Sequence, residues 1–96
     1  MKKPRFDTVI HAPKRLQICA FLAPVQEAEF QVLRDELKVS DSVLSKHLKQ
    51  LEDAGYVKFR KGAVNGRKRM WATLTTSGRK AFAGHVEELR RLAGVV

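Results

Sequence analysis

The chain has 96 residues, 19 of them Lys or Arg and 10 Asp or Glu, for a formal charge of +9. That length suits one domain, residues 1–96, with a modest core that such short chains often complete by dimerising, and the charge predicts a polyanionic partner, either nucleic acid or an acidic membrane surface. No window approaches the roughly eighteen apolar residues of a membrane span, and MKKPRFDTVIHAPKRLQ is too polar for a signal-peptide core, so a cytoplasmic location without membrane insertion is expected. The single cysteine, Cys19, cannot form an internal disulfide, which suits a reducing compartment.

Pro13 can open a helix over PKRLQICAFLA, in which Leu16, Cys19, Ala20 and Ala23 form one stripe with Ile18 and Leu22 beside it. Pro24 stops it. VQEAEF reads as a connector with a strand of two or three residues around 28–30, and QVLRDELKV offers Val32, Leu33 and Leu37 as the inward face of a second helix. After a turn at 38–40, Ser40 or Asp41 can cap a third helix in which Leu44, Leu48 and Leu51 recur at four and three, and Gly55 supplies a stop.

YVKFRK then alternates, with Tyr56, Lys58 and Arg60 on one side and Val57 and Phe59 on the other, as a half-buried strand requires. RMWATLT is its return strand, so residues 57–74 form a hairpin. Its connection GAVNGRK reads as too long for a two-residue turn and mobile at its tip, although Asn65-Gly66 fits a tight turn there. Gly62 and Gly66 are expected to serve positive backbone angles. Thr75 or Thr76 can cap a last helix over residues 76–93, where Phe82, Val86, Leu89 and Ala93 follow a four-three-four spacing that asks for a partner. The whole is an α+β domain, mainly α, with a sheet of two or three antiparallel strands.

On the third helix, at 100° per residue, the three leucines fall within about 40° of one another while Ser42, Lys46 and Lys49 lie roughly 140–200° away. Hydroxyls and ammonium groups on such a face can meet phosphate oxygens and base edges when the helix enters a major groove. Gln50 and Val43 lie at its flank. Residues 58–69 then carry Lys58, Arg60, Lys61, Arg67, Lys68 and Arg69 with no acid, +6 of the net +9.

A helix-turn-helix followed by a basic hairpin resembles the winged helix-turn-helix transcriptional regulators of the ArsR/MarR type. The segments VIHAPKRLQICAFLA, SKHLKQLEDAGYVKFRK and LTTSGRKAF are similar to a branch of short single-domain members, over roughly residues 6–92. The resemblance implies a homodimer on double-stranded DNA, probing the major groove with a recognition helix at 41–54 and the flanking backbone or minor groove with a wing at 58–70 within the 57–74 hairpin. The DNA-binding set is then Ser42, Ser45, Lys46, Lys49, Gln50, Lys58, Arg60, Lys61, Arg67, Lys68 and Arg69. Dimer contacts are expected from the N-terminal segment, through Phe6 and Ile10, and from the last helix, through Phe82, Val86, Leu89 and Ala93. Metal-sensing ArsR members carry a cysteine pair before or at the start of the recognition helix, and RDELKVSDSVL has none.

Other residues read as structural. His47 lies beside the leucine stripe, Cys19 within a core stripe, and Trp71 and Phe82 as core or interface fillers. Glu87 and Glu88 form a solvated edge with Arg90 and Arg91. His11 and His85 fall in the two segments expected to meet between subunits, which leaves a metal or pH-sensing site there open, but two histidines are too few to define one, and no metal or cofactor is expected. No sequence cluster defines a small-molecule effector. The chain lacks Ser/His/Asp spacing, paired catalytic carboxylates and phosphate-binding glycine patterns, so an enzyme is not expected. The remaining alternatives are a non-specific nucleoid-type binder and a winged-helix protein-interaction module, the latter disfavoured by lysine, which protein interfaces deplete.

Overall fold

Asp7 accepts the Ile10 amide on its carboxylate and so starts a one-turn helix, α1 (Thr8–His11), that no sequence periodicity signals. It opens the computed structural model, which describes residues 5–94. Pro13 stands at the start of α2 (Pro13–Leu22), where its missing N–H leaves no bond unmade. Ile18, Cys19 and Leu22 are buried there, but Ala20 is exposed, contrary to its place on the expected stripe. Relative to Ile18, Leu22 and Cys19 lie at about 40° and 100°, whereas Ala20 lies near 200°, on the far side of the helix.

A two-residue strand, β1 (Ala28–Glu29), leads into α3 (Phe30–Leu37), which buries Leu33 and Leu37. Val32, expected inward, is 47% exposed; it sits a quarter turn before Leu33, and no other element covers it. Lys38 ends α3 in the left-handed region at φ 55°, a C-cap filled without glycine. Ser40 then caps α4 (Asp41–Asp53) by accepting the Val43 amide at 3.2 Å. Leu44, Leu48 and Leu51 are 0–1% exposed, each contributing about 1.5–3 kcal/mol of burial. At its other end Gly55, at φ 80°, lets the Gly55 and Tyr56 amides reach the Glu52 and Leu51 carbonyls, the paired bonds of a glycine-terminated helix.

β2 (Val57–Val64) and β3 (Arg67–Leu74) pair without interruption from Val57↔Leu74 to Val64↔Arg67. The hairpin therefore closes on the two residues Asn65 and Gly66, at φ 52° and 76°, and the long connection expected from GAVNGRK is absent. Both residues adopt the positive φ of the turn whose twist matches that of the flanking strands, so pairing runs to the tip. Gly62 sits inside β2 without a positive φ; a Cβ there would fall 3.0 Å from the Trp71 ring, so it makes room for the indole. The sheet order is β1-β3-β2, all antiparallel.

Thr75 caps α5 (Thr76–Leu92) by accepting the Gly78 amide at 3.0 Å, and its hydroxyl donates to the Gly55 carbonyl at 2.6 Å. A Cβ on Gly78 would lie 2.2 Å from the Tyr56 carbonyl oxygen, so α5 passes the backbone between α4 and β2 at a distance only glycine permits. The core joins Ile10, the inward residues of α2, α3 and α4, and Val57, Ala72 and Leu74 of the sheet base. The outer half of the hairpin projects from it, in a molecule of 49 × 25 × 21 Å.

Candidate nucleic-acid interface

With its leucines committed to the core, α4 turns Ser42, Ser45, Lys46, Lys49 and Gln50 to solvent. The helix is held from three sides. Arg34 of α3 donates to Asp41 in its first turn at 2.9 Å, and Arg15 of α2 donates to the Gln50 side chain at 2.5 Å while approaching His47 Nδ1 at 3.4 Å. Arg15 also donates to the Val9 carbonyl, joining α1 to the same bracket. Burial, followed by the Arg15 charge, holds His47 below the ordinary histidine value, so at neutral pH it adds no cation to this face.

The side-chain partners divide the expected DNA-contact residues. Gln50 is occupied by Arg15. Lys49 is paired with Asp53 at 3.1 Å and Glu52 at 3.6 Å, which raises its pKa. Ser42 shares a hydrogen bond with Ser40 at 3.2 Å, and Ser45 and Lys46 are exposed.

On the wing, residues directly opposite share a face, so the register puts Lys61 with Met70 and Ala63 with Lys68 on the side of Val57 and Leu74, toward the helices. Lys61, Lys68 and Met70 there line a cleft of about 730 Å³ together with Asp41 and Ser45 of α4 and Gln31 and Arg34 of α3. Lys58, Arg60, Arg67, Arg69 and Trp71 occupy the opposite face, and Arg69 also borders the cleft. Arg60 lies 4.0 Å above the Trp71 ring and forms an ion pair with Glu27 at 2.6 Å. Arg69 pairs with Glu29 at 3.0 Å and donates to Gln31 at 2.9 Å. Among the described residues, Lys46, Lys58, Lys61, Arg67 and Lys68 form no ion pair.

The hairpin's freedom from acids is thus a property of the hairpin alone, since Glu27 and Glu29 reach across from β1 and the residues before it. Arg15 and Arg34 were missed because a lone arginine on a mostly apolar helix has no periodic signature. Ile10, an expected dimer contact, is 0% exposed within its own chain: α1 folds back onto α2, α4 and α5 and uses Ile10 as core. His11 and His85 meet within one chain, at 3.2 Å, so a pairing across subunits is not needed to bring them together.

A helix pair followed by a β-hairpin whose inner face shares a cleft with the second helix defines a winged helix-turn-helix module for double-stranded DNA. Residues 14–93 match the winged helix DNA-binding domain family, and the chain belongs to it. An uncharacterized protein of Methanocaldococcus jannaschii is 33% identical over 88 residues, spanning 92% of this chain and 91% of its own. The structure is similar to that of a transcriptional regulator homologue from Pyrococcus horikoshii, with a TM-score of 0.83 and 27% identity over 90% of this chain and 85% of the other. HlyU from Vibrio cholerae aligns with a TM-score of 0.65 and 29% identity over 88% and 83% of the two chains. Among the described residues no helix is long and apolar enough to cross a membrane.

Proposed function

We propose that this protein is a sequence-specific transcriptional regulator of the ArsR/MarR type, acting as a homodimeric repressor. In this reading α4 enters the major groove with Ser42, Ser45 and Lys46 leading, and Lys61, Arg67 and Lys68 of the wing, with Lys58 at its base, follow the flanking phosphates. The carrying observation is the shared cleft: Ser45 and the cations Lys61 and Lys68, from elements distant in sequence, line one groove. Lys49, Gln50, Arg60 and Arg69 belong to the interface in a supporting capacity, holding the helix and the wing in place through the pairs described above. Phe6, Phe82, Val86, Leu89 and Ala93 supply the dimer seam, with Ile10 buttressing it from within.

The test is selection of tight binders from a random duplex pool at physiological salt, followed by sequencing. An enriched inverted repeat with half-sites about one helical turn apart is expected. Tight binding with no enrichment would replace this reading with an architectural one, and failure to retain any duplex would favour a protein-interaction module.

A further inference from the structure

Among the described residues His85 is the only buried polar side chain, at 0% exposure, and its surroundings fix its protonation. The Asp7 backbone N–H can only donate, and it points at His85 Nδ1 from 2.9 Å, so that nitrogen carries a lone pair. The neutral ring therefore holds its proton on Nε2, which lies 3.2 Å from His11 Nδ1, and His11 must accept there. The Phe6 ring packs on both imidazoles, with centroids 4.8 and 4.6 Å away. A proton added to His85 would set N–H against N–H at Asp7; one added to His11 would do so at His85.

Asp7 carries that contact onward. One carboxylate oxygen accepts the Ile10 amide at 3.0 Å and the other the Tyr56 hydroxyl at 2.5 Å. Tyr56 is a junction: its amide donates to the Leu51 carbonyl of α4 at 2.9 Å, its carbonyl accepts the Thr75 amide at 3.0 Å, and β2 begins at the next residue. We propose that His85 is a proton-sensitive positioning residue for DNA recognition: neutral, it fixes Asp7 and through it Tyr56, the end of α4 and the base of the wing; protonated, it releases Asp7 and loosens that joint. This rests on the DNA-binding reading above.

The groups around His85 support the assignment. Burial, then His11, hold its pKa below the ordinary histidine value, with Asp7 opposing. Cys19 of α2 is pushed to about 12 by burial and then Asp7, and Tyr56 to about 12 by its bond to Asp7, so neither changes charge between about pH 5 and 8. The Arg5 charge acts on Tyr56 in the opposite direction, lowering its pKa, and on α5 the following turn carries Glu88 paired with Arg91.

Affinity for a selected duplex, measured at constant salt from pH 7.5 to 5.5, tests the proposal. The wild-type chain is expected to lose about twofold to fivefold, which one pKa unit of coupling gives at pH 5.5 for a histidine titrating below its ordinary value. His85→Asn, whose amide oxygen can accept from Asp7 yet takes no proton, is expected to give a flat profile, and His47→Gln, which removes the other titrating group near α4, to keep the loss. In parallel, ring ¹⁵N shifts of the wild-type chain should show unprotonated Nδ1 on His85 at pH 7.5, with the Asp7 and Tyr56 amide resonances moving as that ring titrates. A flat wild-type profile, a loss retained in a folded His85→Asn, or a Tyr56 amide that stays fixed while His85 titrates would each overturn the coupling. Absence of binding to any duplex would instead overturn the DNA reading, and the resonance experiment needs no DNA to distinguish the two.

Discussion

Lys61 and Lys68 face the cleft without an ion-pair partner, whereas Arg60, on the opposite face of the same hairpin, is held by Glu27 and the Trp71 ring. A cation already neutralised by a carboxylate releases little from the DNA counterion atmosphere, so the two kinds of residue should separate in the salt dependence of binding. Lys61→Ala and Lys68→Ala should each flatten the slope of log affinity against log salt by about one. Arg60→Ala should leave the slope in place and lower thermal stability only slightly, because solvent screens an exposed ion pair and weakens a cation–ring contact made at the surface. Equal slope changes for all three would show that Arg60 leaves Glu27 for phosphate on binding. Cys19 gives a second test at this scale. It is 0% exposed, and burial and then the Asp7 charge push its thiol to about 12, so the folded protein should resist iodoacetamide at pH 8 and react only once denatured. Rapid native labelling would mean that the α1–α2 packing opens.

Between elements, α5 comes close to the segment joining α4 and β2, where Gly78 passes the Tyr56 carbonyl. Gly78→Ala must push backbone against backbone, with no flexible side chain to yield, so it should cost about 3 kcal/mol or more and depress the melting temperature sharply. Stability within about 0.5 kcal/mol of wild type in a chemical melt, the effect of an ordinary surface change, would place α5 farther from Tyr56. This junction also marks where the sequence stops being legible. The leucine stripe of α4, its Ser40 cap, its glycine stop and the alternation of β2 were all readable because each is a local periodicity or a local hydrogen bond. Gly78 carries no local signal, since its reason lies in a carbonyl 22 positions away in the chain. The same holds for Glu27 and Glu29 on the wing arginines, for Arg15 on Gln50, and for Asp7 on Tyr56. The candidate interface was thus legible as a set of residue types, while the division between free and braced cations required the tertiary register.

For the whole molecule, the radius of gyration of 14.1 Å exceeds the about 12.5 Å of a rounded domain of this length, as a projecting wing requires. Its pH response follows from two histidines, His85 and His47, both held below the ordinary value chiefly by burial. Folding disfavours their charged forms, so the unfolded chain binds more protons as pH falls. Their stabilisation is complete above the ordinary value of 6.5 and is lost below it, toward the depressed folded values. Melting temperature should therefore be level above neutrality and decline from about pH 6.5 downward; a rise on acidification would exclude both histidines as buried neutral groups.

The elongated shape also leaves apolar surface that one chain does not cover. Leu92 is 60% exposed and Phe6 43%, at the two segments that flank the half-buried Phe82, Val86 and Leu89. A second copy joined along this seam would cover these groups and present two α4 helices to two half-sites. Sedimentation at micromolar concentration should then give twice the 10.9 kDa chain mass. Leu92→Glu puts a charge on the seam at a position already 60% exposed in the isolated chain, where little packing is lost, so the variant should fold and sediment as a monomer. It should still engage a single half-site, but its affinity for the full inverted repeat should fall by about 10²-fold or more, because the second recognition helix no longer arrives at high effective concentration. A Leu92→Glu variant that remains dimeric would move the interface elsewhere on the surface. A wild-type chain that is monomeric yet selects an inverted repeat would mean that the DNA assembles the pair.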